Sequence, residues 1–127
     1  MRQRYFFGTE NGMIIWDVDS MLKAIEEKPM AFELRMVDTD YIAKENHDVR
    51  VDDTYAMKTD LNKPCVLAEV KDGHYLLLDG NHRLRKAIKE KLSCVMCYCL
   101  KESQHQRYIE HYRPKEYEYI MSAYELR

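Results

Sequence analysis

The sequence predicts an α/β (α+β) fold, a small mixed sheet with helices packed on it. Three observations lead there. Apolar segments of strand length recur at residues 65–70, 75–79 and 94–100. A helical pattern, Leu84, Ala87, Ile88 and Leu92, stands between the last two of them. Gly and Pro punctuate the junctions, at Gly12, Pro29, Gly73 and Gly80. The 127 residues have the length of one domain. That domain is expected over 1–127, with a core at about 37–100. An N-terminal hairpin and helix (1–36) and a helical C-terminal tail (101–127) are additions to it.

Taken in order, "RYFFGTENGMIIWDV" reads as two short strands around Asn11-Gly12, the dipeptide favoured in tight hairpin turns. "DSMLKAIEEK" follows as a helix, N-capped by Asp19 or Ser20 and ended by Pro29. Phe32, Leu34 and Met36 alternate with Glu33, Arg35 and Val37, as in a strand. "VDTDYIAKEN" reads as a turn or short helix, "HDVRVDD" as a loop, and "DDTYAMKTDLNKP" as a short helix reaching Lys63-Pro64. Two strands then flank a turn at residues 71–74. The second, "YLLLD", is apolar enough to be buried on both faces. A helix over 81–92 and a strand over 94–100 complete this block. Two helices, at 102–112 and 114–126, close the chain.

Composition narrows the function. The formal net charge is -2, whereas a non-specific nucleic-acid coat protein is basic, so any anion site must be local. No apolar run approaches the ~20 residues of a membrane span, and residues 1–7 lack a signal peptide's apolar stretch. Of the four cysteines, Cys65, Cys94, Cys97 and Cys99, three crowd one segment, which is a poor disulfide framework. The expectation is a cytoplasmic protein with reduced thiols.

The chemistry concentrates in "LLLDGNHRLRKAIKE". A helix N-terminus carries unpaired N–H groups and the positive end of the dipole, and a preceding glycine lets a ligand approach. Such an end suits phosphate. Residues 81–92 hold five Arg/Lys against one Glu. Cations in a first turn oppose the dipole, and a bound polyanion resolves that conflict. His82 and Arg83 reach the same anion. Asp79, ending the strand, can hold Mg²⁺ or accept a proton. Asn81 can serve instead as an N-cap, with the cations forming a solvated helix face.

The stretch "KPCVLAEVKDGHYLLLDGNHRLRKAIKEKLSCVMCYCL" resembles the core of the ParB/sulfiredoxin superfamily: Lys63-Pro64, strand, turn, apolar strand, Asp79-Gly80-Asn81-His82-Arg83, helix and closing strand. The resemblance covers about residues 60–100 and extends back to "VDTDYI". It implies a nucleotide (ATP, ADP or CTP) with Mg²⁺ at this loop, held by Gly80, Asn81, His82 and Arg83 with Arg85 and Lys63. Asn81 stands where sulfiredoxins have their catalytic cysteine, so the resemblance does not carry that chemistry. The single-domain Asp-Gly-x-His-Arg form is similar to free-serine kinases. That implies phosphoryl transfer or NTP hydrolysis, with Asp79, His82 and Arg83 catalytic and a separate carboxylate as base: Glu45, Asp38 or Asp40. ParB-like nucleases imply an alternative, DNA binding or phosphodiester cleavage. A non-catalytic partner-binding module is a third reading. The expected partners are a nucleotide or phosphorylated small molecule, with nucleic acid in the second reading and no membrane.

The remaining constellations read as structural. In a strand Cys97 and Cys99 share a face and Cys94 points away, which suits buried thiols better than a closed zinc site. His105 and His111 are expected at the surface, His74 in an exposed turn, and Trp16 in the hairpin packing. His47 lies in the expected loop, a plain loop or an active-site lid. Five of the ten tyrosines fall in the last twenty residues, to cover the core or join copies into a homo-oligomer.

Overall fold

The structure is a computed structural model that describes residues 3–46, 52–71 and 73–125. Among the described residues six strands form a two-stranded and a four-stranded sheet, joined by six helices, so the fold is α+β. The chain divides into two compact units, residues 32–102 and residues 1–31 with 103–127.

In the discontinuous unit, β1 (Arg4–Thr9) and β2 (Gly12–Asp17) form an antiparallel hairpin. Its turn sits one residue earlier than Asn11-Gly12 suggests, at Glu10–Asn11, and Gly12 already pairs with Thr9. Tertiary bonds account for the shift, because Asn11 Nδ2 donates to the Tyr119 carbonyl at 2.8 Å. Helix α1 (Val18–Glu27) follows without a linker. Its N-cap is therefore the last strand residue, Asp17, and not Asp19 or Ser20; the Asp17 carboxylate accepts from the Ser20 N–H at 3.2 Å. The tail returns to β2 through a bridge between Ile109 and Trp16. Helix α6 (Pro114–Glu125) docks Ile120 against Gly12 and Tyr124 against Phe7, with ring centroids 5.4 Å apart.

The continuous unit holds the sheet β3-β6-β4-β5: β3 (Glu33–Asp38), β4 (Cys65–Lys71), β5 (His74–Asp79) and β6 (Cys94–Leu100). β4 runs parallel to β6, and the other pairs are antiparallel. The sheet is therefore mixed, as expected. Helix α2 (Thr39–Glu45) starts at Asp38, whose side chain accepts from Asp40 and Tyr41 N–H. Its far end is tied to β5 by Asn46, which accepts from the Leu77 N–H at 2.9 Å. Leu76, Leu77 and Leu78 are all buried, so β5 is covered on both faces. Helix α4 (Asn81–Lys89) sets Leu84 and Ala87 into a core with Ile42, Leu67, Leu77, Val95 and Cys97. Each such fully buried branched side chain contributes about 1.5–3 kcal/mol of transfer free energy.

Several boundaries differ from the sequence pattern. The helix expected over 81–92 stops at Lys89, where Lys91 turns left-handed (φ 59) and a Schellman motif forms, Leu92 N–H to Ala87 O and Lys91 N–H to Ile88 O. Ile88 and Leu92 are then 42% exposed and not core residues. Leu92 lies past the helix end, and Ile88 sits about 70° round from the midpoint of Leu84 and Ala87 at 100° per residue. The helix expected to reach Lys63 is only α3 (Asp53–Ala56), since Asp60 diverts the chain by accepting from the Asn62 N–H at 2.9 Å. The helix expected over 102–112 is α5 (Glu102–His105) plus a 3-10 turn at Gln106–Tyr108, because the bridge to Trp16 takes Ile109 out of helical geometry. Of the loop expected over 47–53, Asp52 caps α3 and Asp53 begins it, while residues 47–51, Asp72 of the 71–74 turn and Leu126 lie outside the described residues.

Candidate functional site

The Asp79–Arg83 loop is built by a bulge, a glycine and an uncapped helix. Leu67 pairs with Leu77 but Val66 with Asp79, so Leu78 is an extra residue in β5. A bulge at a strand end re-aims the next side chain, and here that side chain is Asp79. No hydrophobic pattern announces it, because all three leucines are buried. Gly80 then adopts φ 111 and serves as N-cap of α4. A β-carbon on it would stand 2.5 Å from Cys65 Sγ and 3.1 Å from Cys65 Cα. Gly80 is thus required for its backbone conformation and its packing on β4.

No side chain caps α4, and its first intrahelical bond runs from Leu84 N–H to Gly80 O at 2.8 Å. Asn81 is consequently the first helical residue and not the N-cap. The first-turn amides keep their dipole-aligned N–H groups unclaimed by a side-chain cap. Arg83, in that turn, donates from Nη2 to Asp79 Oδ2 at 2.7 Å, with the two side chains 15% and 18% exposed. Its Nε is buried without a hydrogen-bond partner. His82 meets Tyr55 edge-on, with centroids 4.6 Å apart, and the Tyr55 ring is 56% exposed.

The other cations of α4 are held by the α3 region. Arg85 Nη1 lies 3.7 Å and Lys89 Nζ 3.3 Å from the Asp53 carboxylate. Lys86 Nζ donates to the Thr59 carbonyl at 2.7 Å. The basic face noted in the sequence is therefore largely engaged by the α3 region, through side chains that stay about half exposed. That explains Arg85 and the lysines without a ligand. Asp53 and Tyr55 belong to no motif in the sequence, because a helix of four residues shows no periodicity.

Of the residues expected at the site, the structure brings together Asp79, Gly80, Asn81, His82 and Arg83. Lys63 is exposed, two residues before the Cys65 that packs beneath Gly80. Glu45 is not brought to the loop: its carboxylate lies 3.4 Å from His74 Nδ1, at the other end of β5. Five residue steps along the strand separate His74 from Asp79, roughly 17 Å. Asp38 is committed to capping α2. Asp40 is exposed in the first turn of that helix.

Cys65 and Cys97 are register partners on β4 and β6, and all four cysteines are free. Cys97 and Cys99 are buried on one face while Cys94 is half-buried. The Cys65 thiol is lowered by its hydrogen bond with Cys97, against the effect of burial and with help from the Arg83 charge. Cys97 is pushed up by that same hydrogen bond and by burial, and burial also raises Cys99. No group of three or more His, Cys, Asp or Glu side chains able to hold a metal forms among the described residues. His105, expected at the surface, is fully buried: its Nδ1 accepts from Trp16 Nε1 at 3.1 Å. Tail folding brings the two together across 89 positions, a distance no local pattern spans. His111 and His74 are exposed. No helix of the described residues is long and apolar enough to cross a membrane. Comparison with protein-family models, with curated proteins and with solved structures finds no match to this chain.

Proposed function

We propose that the Asp79–Arg83 loop binds the phosphates of a nucleotide and supports phosphoryl transfer or NTP hydrolysis, as the resemblance to the ParB/sulfiredoxin superfamily implies. The observation that carries this reading is the uncapped N-terminus of α4, with His82 and a partly unsatisfied Arg83 in its first turn. In this reading the amides and the guanidinium serve the same anion. Tyr55 supports a nucleotide over a bare phosphate, because its exposed ring stands beside His82, where a base can stack.

Phosphoryl transfer needs positioning and charge neutralisation more than covalent chemistry. In this reading the amides of Asn81 and His82 orient the anion, Arg83 neutralises it, and Asp79 fixes the Arg83 fork. The residues present fit Mg²⁺ only as an ion carried by the nucleotide. Asp79 is the single carboxylate shown at the loop, and Mg²⁺ is commonly held by phosphates, waters and one or two carboxylates. The nucleic-acid reading has less support, since Arg85, Lys86 and Lys89 face α3.

The test is a thermal-shift series with ATP, ADP, CTP and inorganic phosphate, with and without Mg²⁺, followed by phosphate-release assays. Ligand linkage raises the melting temperature with at least one nucleotide, and Arg83→Ala abolishes the rise. No shift with any nucleotide overturns the reading. Metal-dependent DNA cleavage lost in Arg83→Ala would favour the nuclease alternative.

A further inference from the structure

The outer strand of the four-stranded sheet has an unusual surface. β3 lies at the sheet edge, and among the described residues no strand pairs with its other side. Every residue of β3 except Val37 is exposed. Leu34 and Met36 are 47% and 60% exposed, and their register partners on β6 are Tyr98 and Met96, both half-buried. An apolar patch therefore borders a free edge, the combination that proteins usually suppress by shortening, bulging or covering the strand. The opposite face of the same strand carries Glu33 and Arg35 in an ion pair of 3.1 Å.

This strand is self-complementary. Two copies paired antiparallel about a two-fold axis can keep their apolar faces on the same side only in registers centred on a residue. Centred on Arg35, the two arginines oppose one another. Centred on Met36, Leu34 meets Asp38. Centred on Leu34, Glu33 of each copy opposes Arg35 of the other and Leu34 meets Leu34 within β3, while Met36 comes opposite Phe32, the half-buried residue just before the strand. That register alone matches charge with charge on one face and apolar with apolar on the other. Opposite charges directly across a strand pair stabilise it, and like charges there destabilise it.

We propose that β3 is a homodimerisation edge: two copies of this chain pair through it, in the register centred on Leu34, into a continuous eight-stranded sheet. The surface is independent of the Asp79–Arg83 loop and does not use the tyrosine-rich tail. Edge pairing alone buries less than the ~1,200 Å² of standard stable interfaces, so the dimer is weak and concentration-dependent.

Sedimentation equilibrium of the full chain, from micromolar to millimolar concentration, reads it out. The expected result is a monomer–dimer equilibrium. Glu33→Arg, at a side chain that is 53% exposed, places like charges across the pair by opposing a second arginine to Arg35, and weakens dimerisation by about tenfold. Arg35→Glu does the same by opposing two glutamates. The double variant Glu33→Arg/Arg35→Glu restores the pairing, which a merely unfolded single variant would not achieve. A monomer at every concentration, leaving the edge for a strand of another protein, overturns the proposal. So does a dimer indifferent to both single reversals, or one abolished by Tyr119→Ala in the tail.

Discussion

Gly80 and Cys65 are packed so closely that a β-carbon on the glycine would stand 2.5 Å from the cysteine sulfur and 3.1 Å from its α-carbon. The loop is thus closely packed on the sheet beneath it. Gly80→Ala is expected to cost about 2–4 kcal/mol, from the strained φ of 111 and the overlap together. Urea unfolding measures it. Cys65→Ala in the same chain recovers only part of the loss, because the α-carbon contact and the φ strain remain.

Arg83 and Asp79 form a partly buried pair across the glycine. Arg83→Ala leaves the Asp79 carboxylate short of a donor and is expected to cost about 1–3 kcal/mol. The double-mutant cycle with Asp79→Asn should return a coupling of about 1–2 kcal/mol. A coupling near zero would show that the pair does not organise the loop.

Trp16 is the only tryptophan and is fully buried, so its fluorescence reports the unfolding of the hairpin-and-tail unit. Trp16→Phe deprives His105 of its donor and leaves a void, with an expected loss of about 2–4 kcal/mol. Near-ultraviolet dichroism or differential scanning calorimetry supplies the readout in that variant.

The buried thiols make stability fall on the alkaline side. Cys97 and Cys99 have raised values in the folded chain, so their stabilising contribution is complete below the unfolded thiol pKa of about 8.5 and is lost as pH rises beyond it. Cys65, which is lowered, contributes in the opposite sense and offsets part of this. Chemical denaturation between pH 7 and 9.5 should show the decline (about pH 8 upward), with a shallower slope in Cys97→Ala. With Ellman's reagent at neutral pH, half-buried Cys94 reacts first and the other three wait for unfolding.

The strands and α4 were legible because their signals are local. The apolar runs at 65–68 and 75–78 are satisfied by burial on both faces, and Gly80 marks a strand-to-helix junction where the backbone turns left-handed. The Asp79–Arg83 cluster was legible for the same reason, since its members are chain neighbours. Three features were not. The bulge at Leu78 depends on the register with β4. The clasp of Arg85 and Lys89 on Asp53 spans 32 and 36 positions and turns an apparently ligand-seeking basic face into an intramolecular surface tie. The burial of His105 depends on a tail that returns to the hairpin. Local patterns along the chain were enough to define most strands and helices and the helix end suited to an anion. Which charges are already paired, and which apolar edge stays open, emerged only when the chain was folded. Pairing and exposure depend on residues far apart in the chain, and no periodicity or propensity encodes their distance.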